Sequence, residues 1–448
     1  MRILHYLLGF PPYRTGGLTK YATDLMTEQV KDGHNVMGLW PGQMRLLNHK
    51  TIIKKKKAFA GIESYELINP LPVSLDEGIQ AVDDYMKPCE SDVYMTFMVN
   101  AKPDVIHVHT LMGIHKEFFD VAYTLGKRII FTAHDYFGIC PKVTLYRYGK
   151  VCNDLNCENC FQCNRTALSL KKIYIMQSPL YRQLKNSSII KLLRKNHRED
   201  FFSDKEFLKM PVGDIVNETE QYNRLRGFYL GILENVDVVH FNSSVTEAIY
   251  KRYFVPQKSE IITITHKNIA DNKKTNSWQA GDVLRITSLA PARPYKGFYV
   301  LKNALDELWD SGKHDFKLNL YSPVRNSSEY MTIKEDGFTY DELGKIFAVT
   351  DILVAPSICY ETFGFTVLEA LSYGVPVIVS NNVGAKDIVG SGGIIVEAGN
   401  VKQLKHAVIA LNYETLSAMR ENIRLEVPIK SWRTLVEETY HLYKKCKD

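Results

Sequence analysis

The sequence predicts an α/β protein of two doubly wound, parallel-sheet domains facing one cleft, with a Cys-rich and helical insertion in the first. Three observations carry this. The chain has 448 residues, more than one ordinary core accommodates. Short β-branched runs alternate with helical patterns in both halves, as strands buried on two faces do. The alternation lapses twice, between Cys140 and Asn235 and again in the polar stretch that ends "IADNKKTNSW".

In the first half the strand runs are "RILHYLL", "HNVMGLW", "DVIHVHT", "KRIIFTAH" and "VDVVHFNS", several ending in a turn or a His. They define a domain over 1–260, with the insertion at about 140–235. In the second half "DVLRITSLA", "FKLNLYS", "DILVAPS", "VPVIVS" and "GGIIVE" define a domain over 261–428. The tail, 429–448, reads as a helix by period and charge, placed so that it can cross back onto the first domain.

Apolar and charged fractions of 45% and 24% fit a soluble globular chain rather than a disordered one. No run reaches the roughly 18 apolar residues of a membrane span. The start, "MRILHYLLGFPPYRTGG", lacks a small-residue cleavage site and reads as a strand entering a Gly-rich loop, so a cytoplasmic location is expected. The net charge of +6 is uneven: "IIKKKK" packs Lys54 to Lys57 together, and 171–198 carries eight Lys or Arg without a single acid. Two readings stay open for these cations, a solvated face and a basic amphipathic surface on the anionic inner face of the cell membrane. No nucleic-acid-binding module accompanies them.

Ligands of open α/β sheets bind at the carboxyl ends of strands. After "DILVAPS" comes "ICYETFGFTVLEALSYG", in which Glu361 and Glu369 flank an apolar segment. Gly364 permits a tight turn, and from there the pattern is helical up to Gly374 as its C-terminal cap. A helix starting here aims free N–H groups at the cleft, and a carboxylate can accept hydrogen bonds from vicinal hydroxyls. After "DVLRIT", the stretch "SLAPARPYKGF" supplies Arg293 and Lys296, a fork and a point charge suited to a diphosphate. Gly16 and Gly17, between the first strand and its helix, allow close approach of backbone to phosphate.

Together with "DVIHVHT", "FTAHDY" and "VAPSICYETFGFTVLEALSYGVPVIVSNNVG", these motifs resemble the retaining glycosyltransferases of family four, whose architecture of two Rossmann-like domains is called GT-B. The resemblance runs over nearly the whole chain. It implies that Glu369 holds the ribose of a nucleotide-diphosphate sugar (UDP- or GDP-linked) and that Glu361 binds the donor sugar beside Phe363, Gly364 and Phe365. It implies that Arg293 and Lys296 neutralise the diphosphate, aided by Gly17, and that His134 lies under the sugar near its anomeric carbon. Transfer to a saccharide acceptor, lipid-linked as in surface polysaccharide synthesis, would retain configuration and require no catalytic metal. One departure is "VGAKDIV", where Asp387 stands at a position the family usually fills with Glu. The rivals are a nucleotide-sugar epimerase and a non-catalytic nucleotide-sugar-binding protein on the same fold.

Five of the eight cysteines, Cys140, Cys152, Cys157, Cys160 and Cys163, crowd into one stretch ending in C-x-x-C-x-x-C. In a reducing compartment such a cluster favours metal over disulfide, and a structural Zn²⁺ is the expectation, with free thiols and an iron–sulfur cluster as alternatives.

Overall fold

The computed structural model describes residues 1–45, 47–185, 187, 190, 215–273 and 282–445. The first sheet has eight strands: β1 (Arg2–Tyr6), β2 (Asn35–Pro41), β3 (Ile52–Phe59), β4 (Ile62–Ile68), β5 (Val105–Val108), β6 (Arg128–Ala133), β9 (Val238–Phe241) and β10 (Ser259–Ile261), in the order β10-β9-β6-β5-β1-β2-β4-β3. A two-stranded hairpin, β7 (Tyr146–Arg147) and β8 (Lys150–Val151), belongs to the insertion. The second sheet is parallel throughout: β11 (Leu284–Ser288), β12 (Phe316–Leu320), β13 (Met331–Ile333), β14 (Ile352–Ala355), β15 (Val377–Ser380) and β16 (Gly393–Val396), in the order β13-β12-β11-β14-β15-β16. Both sheets are the doubly wound α/β kind that the strand runs predict.

The central strands β1, β5, β9, β14 and β15 are almost wholly buried, which explains their near-continuous apolar runs. The lysine run behaves otherwise. It forms β3, the edge strand, antiparallel to β4, with Lys54 to Lys57 exposed. A lysine-rich edge discourages strand addition by another chain. Lys55 and Lys56 each pair with a β4 carboxylate, Glu63 and Glu66, at 2.8 Å.

The insertion between β6 and β9 contains, among the described residues, helices at Cys160–Asn164, Leu170–Met176, Pro179–Leu184 and Ile215–Leu233. Much of the basic stretch 171–198, and the linker residues 274–278, lie outside the described residues.

The last helix, Trp432–Lys445, packs against the first sheet. Leu442 and Tyr443 close a cluster with Ile3, Val105, Ile130 and Val238. Arg433 and Tyr440 both reach Asp32, at 2.7 and 2.8 Å, and Arg128 donates to the Tyr443 carbonyl at 2.9 Å. The chain thus ends on the domain where it began. Among the described residues no helix is long and apolar enough to cross a membrane.

Candidate functional site

Loops at the carboxyl ends of β1, β6, β11 and β14 meet between the two sheets. In the first domain, the loop after β1 leads through Gly16, at φ 110°, into the helix Gly17–Lys31. No L-residue adopts that φ readily, which explains the glycine. A Cβ on Gly16 would meet nothing within 4 Å, whereas one on Gly17 would lie 3.3 Å from the Phe365 ring of the second domain.

In the second domain, Gly364 has φ 103° and opens the helix Phe365–Ser372. A Cβ there would sit 2.8 Å from Val383, so only glycine lets the loop turn this tightly. Phe363 is buried in the second domain's core. Glu361 precedes the turn, held by its N–H to the Asn382 carbonyl at 2.9 Å. Its carboxylate accepts from the Ser357 hydroxyl and pairs with Lys296 at 3.1 Å. Burial alone lowers the Lys296 pKa, but the Glu361 carboxylate beside it more than reverses this and holds the ammonium charged.

Lys296 stands on a short 3-10 turn, Pro294–Lys296, closed by Gly297 at φ 75°. A Cβ on Gly297 would come within 1.9 Å of the Pro356 carbonyl oxygen, so the two loops can press together only with glycine here. Arg293 begins the same turn, donating to the Tyr295 hydroxyl at 3.1 Å and standing 3.9 Å from Asp76 of the first domain. The two cations thus differ in setting: Lys296 is tied to Glu361, while Arg293 reaches across the cleft.

Glu369 is buried in the helix Phe365–Ser372, where it accepts from His266 Nε2 at 3.1 Å. The His266 ring lies between Tyr340 and Phe365, with centroids at 5.2 and 5.1 Å. Neither His266 nor Tyr340 stood out in the sequence. The only signal was a His in the segment joining the domains, "ITITHKN".

His134 follows β6, and its carbonyl accepts from the Thr362 hydroxyl at 3.1 Å, which joins it to the Glu361 loop. Its ring packs on Tyr21 at 4.7 Å, and burial depresses its pKa to about 3, so the imidazole is neutral at physiological pH. The two domains are clasped at this point. The Thr362 carbonyl accepts from Ser243 and Thr246 at 2.8 and 2.9 Å, and Asp387 accepts from the Ser244 N–H and hydroxyl, both at 2.6 Å. Asp387 therefore caps the first-domain helix Ser244–Tyr250. So Gly16, Gly17, His134, Arg293, Lys296, Glu361, Phe363, Gly364, Phe365 and Glu369 gather around one interdomain cleft.

The five thiols of the expected zinc site lie beside the hairpin and around the turn at Cys157. Cys157 and Cys160 are buried neighbours in one turn, Cys160 N–H donating to the Cys157 carbonyl at 3.0 Å, and Cys140, Cys152 and Cys163 are close enough to raise one another's pKa. Burial is the larger cause and lifts Cys140 and Cys163 to about 12 and 11, so both are protonated. Among the described residues, however, the one group of three ligand atoms close enough to share an ion is His5, His107 and His109. Among the described residues no three sulfurs converge likewise.

Comparison with known proteins agrees with this fold. Residues 281–412 match a family model described as glycosyl transferases group 1. The chain is 27% identical over 135 residues to the O-antigen chain mannosyltransferase B of Escherichia coli, covering 28% of this chain and 33% of that protein. It is 32% identical over 109 residues to an uncharacterised glycosyltransferase of Methanocaldococcus jannaschii, covering 23% and 28%. The matches thus span about a third or less of the length of these curated relatives. Among solved structures, the sucrose-phosphate synthase of Thermosynechococcus elongatus is similar over 99% of both chains, with TM-score 0.55 and 14% identity. HepE of Anabaena, solved with UDP and glucose, is similar over 99% of both, with TM-score 0.54 and 12% identity. The UDP-forming α,α-trehalose-phosphate synthase of Burkholderia xenovorans, solved with glucose-6-phosphate, is similar over 99% of this chain and 100% of its own, with TM-score 0.56 and 10% identity. By fold the chain is GT-B, and within its second domain residues 281–412 are similar to the group 1 glycosyltransferases.

Proposed function

We propose that this protein is a retaining glycosyltransferase that moves a sugar from a nucleotide-diphosphate sugar to an acceptor hydroxyl. The observation that carries the reading is the Lys296–Glu361 pair at the start of a glycine-opened helix, facing His134 and Gly17 across the cleft. Glu369, steadied by His266, takes the ribose hydroxyls, and Glu361 takes hydroxyls of the sugar. In the transfer the anomeric carbon–phosphate oxygen bond breaks, a bond to the acceptor oxygen forms on the same face, and the acceptor's hydroxyl proton passes to the departing phosphate oxygen. The leaving diphosphate gains negative charge, which Arg293, Lys296 and the free N–H groups at the start of Phe365–Ser372 stabilise. No metal is assigned a step.

A lipid-linked saccharide of surface polysaccharide synthesis is the acceptor this reading favours, and the similarity to an O-antigen mannosyltransferase supports it. So does a cation cluster beside the Gly16–Gly17 loop. The Tyr13 ring is faced by Lys185 Nζ at 4.0 Å, Arg182 at 4.8 Å and Arg14 at 5.4 Å. Such a cluster suits an acceptor that carries phosphate. Structural zinc at the thiol patch stays part of the proposal. It would need the Cys157–Cys163 turn and Cys140 or Cys152 to draw together, and elemental analysis of the purified protein decides it.

The test is a panel of UDP-, GDP-, ADP- and dTDP-sugars scored by thermal stabilisation. The matching donor, at a hundred times its Kd, adds about 2.7 kcal/mol of stability. That donor is then incubated with and without acceptor, and the product's anomeric configuration is read by NMR. An epimer formed without acceptor would identify an epimerase, and stabilisation with no turnover on any acceptor a binding protein.

A further inference from the structure

Behind the cleft, the first sheet carries a polar seam that the transfer reaction does not account for. His5 on β1, His107 on β5, Thr132 on β6 and His240 on β9 lie on four consecutive strands. His5 is in register with His107 and Thr132 with His240. Two residues further along their strands, and so on the same face, come His109, His134 and Asn242. Gln29 of the first helix and Tyr443 of the last complete the set. All of these except His134 are fully buried or within 1% of it. Core strands and their ends seldom bury four imidazoles together.

Their hydrogen bonds form one chain. His240 Nε2 lies 2.8 Å from the Ile262 carbonyl, and His240 Nδ1 lies 3.0 Å from the Thr132 hydroxyl. His107 follows, with Nε2 at 2.7 Å from Thr132 and Nδ1 at 2.8 Å from the Tyr443 hydroxyl. Gln29 stands between Tyr443, at 3.0 Å, and His5 Nε2, at 2.8 Å. His5 Nδ1 is 3.0 Å from His109 Nε2, and His109 Nδ1 is 3.3 Å from His134 Nε2. Asn242 Nδ2 closes the chain, 3.4 Å from His134 Nδ1 and 3.1 Å from the Ala133 carbonyl.

The proton positions along this chain are not free. Burial lowers the pKa of all five imidazoles, so each is neutral and carries one N–H. A carbonyl only accepts, so His240 donates from Nε2, and its Nδ1 must accept from Thr132. Thr132 has then spent its only proton and accepts from His107 Nε2. His107 Nδ1 accepts from Tyr443, whose oxygen accepts from the Gln29 amide NH₂. That turns the Gln29 oxygen towards His5 and makes His5 donate from Nε2. By the same step His109 and then His134 donate from Nε2, leaving His134 Nδ1 to accept from Asn242.

We propose that this chain, ordered from the Ile262 carbonyl through Tyr443 of the terminal helix, fixes His134 as the neutral Nε2–H tautomer in a single ring orientation. Tyr443, Gln29, His107 and Thr132 are therefore positioning residues that act on the cleft from behind the sheet. The consequence for catalysis rests on the transferase reading: a ring held neutral beside the anomeric carbon adds no repulsion as positive charge develops there. The proton assignment itself does not depend on that reading. Nor is the His5–His107–His109 group a ready metal site, since all six of its ring nitrogens already have protein partners.

The test is ¹⁵N–¹H NMR of the full-length protein with ¹⁵N-labelled histidine, near pH 7. The expected spectrum shows His5, His107, His109, His134 and His240 as neutral Nε2–H tautomers. Asn242, oriented by the Ala133 carbonyl, holds the near end of the chain, so Tyr443→Phe and Thr132→Val are each combined with Asn242→Ala, and in both His134 should become a mixture of tautomers while His240 keeps Nε2–H. Where transfer is measurable, kcat should fall by roughly tenfold or more with the donor KM little changed. A wild-type Nδ1–H or charged imidazole at any of the five would overturn the proposal, even if neither variant folds. So would an unchanged His134 signal in both folded variants, or a Zn²⁺ titration that shifts the His5, His107 and His109 signals together.

Discussion

Lys296 and Glu361 are each about four-fifths buried at their side chains and lie 3.1 Å apart, so neither can be removed without altering its partner. Lys296→Ala frees Glu361 and, in the proposed transfer, takes away a charge aimed at the leaving phosphate, so kcat should fall by about 10²-fold or more. Glu361→Ala should lower kcat more than it raises the donor KM, because the proposed transfer gives it contacts to the sugar in transit. Glu369→Ala should do the reverse, weakening donor binding, since the ribose is remote from the bond being broken. Steady-state kinetics on the three variants separates these roles. Wild-type kcat in Glu361→Ala would remove its assignment. Full activity in the Arg293→Ala/Lys296→Ala double variant would remove theirs.

At the scale of elements, the sequence made the sheets legible wherever a strand was buried on both faces, as in "DVIHVHT" and "DILVAPS". It was silent at the edge. "IIKKKK" reads as surface charge, and its strand character comes only from pairing with β4, a tertiary fact. The glutamate-bearing helix was legible because Gly364 and Gly374 punctuate it. His266 was not, because its partner is 103 residues away and no local pattern marks it. The polar seam left a trace in the same-face spacings of His107 with His109 and His240 with Asn242, but their partners sit on distant helices. That seam should make the first domain acid-labile. Each buried imidazole has a folded pKa below its unfolded value, so the unfolded chain binds more protons below about pH 6.5, and stability falls as pH falls. His115, lowered to about 4, adds a sixth such group, and Asp135, raised by burial to about 6, opposes one of them. The net of about five protons costs up to about 7 kcal/mol per pH unit, against a typical total of about 5–15 kcal/mol. Acid unfolding is expected between pH 5 and 6, with a steep dependence of the denaturation midpoint on pH. A flat stability curve down to pH 4.5 would contradict it.

On the scale of the whole molecule, two domains meet through close contacts at two glycines, one leaving no room for a side chain and the other little. Gly384 stands where a Cβ would lie 2.4 Å from the Ser243 hydroxyl, and Gly17 faces Phe365. The terminal helix ties the second domain back to the first sheet. The two basic patches, by contrast, both fall on the first domain. Lys54 to Lys57 line the edge strand β3, and Lys171 and Lys172 stand exposed on a helix that also exposes Ile175. The next helix exposes Leu180 and Leu184. Apolar side chains beside lysines would suit an interfacial surface, where aliphatic groups enter the head-group boundary and ammonium groups meet phosphate. Two of the edge lysines are already paired with glutamates, so the helical face should carry more of the attraction. Vesicle sedimentation is then expected to show binding that needs anionic lipid and weakens between low salt and about 0.5 M, as screening shortens the reach of each charge. Replacing Lys171, Lys172, Ile175, Leu180 and Leu184 together should abolish it, while Lys54→Glu and Lys57→Glu should weaken it only partly. Equal binding to neutral vesicles, or none to anionic ones at low salt, would leave these residues a solvated face and make a soluble saccharide the better acceptor.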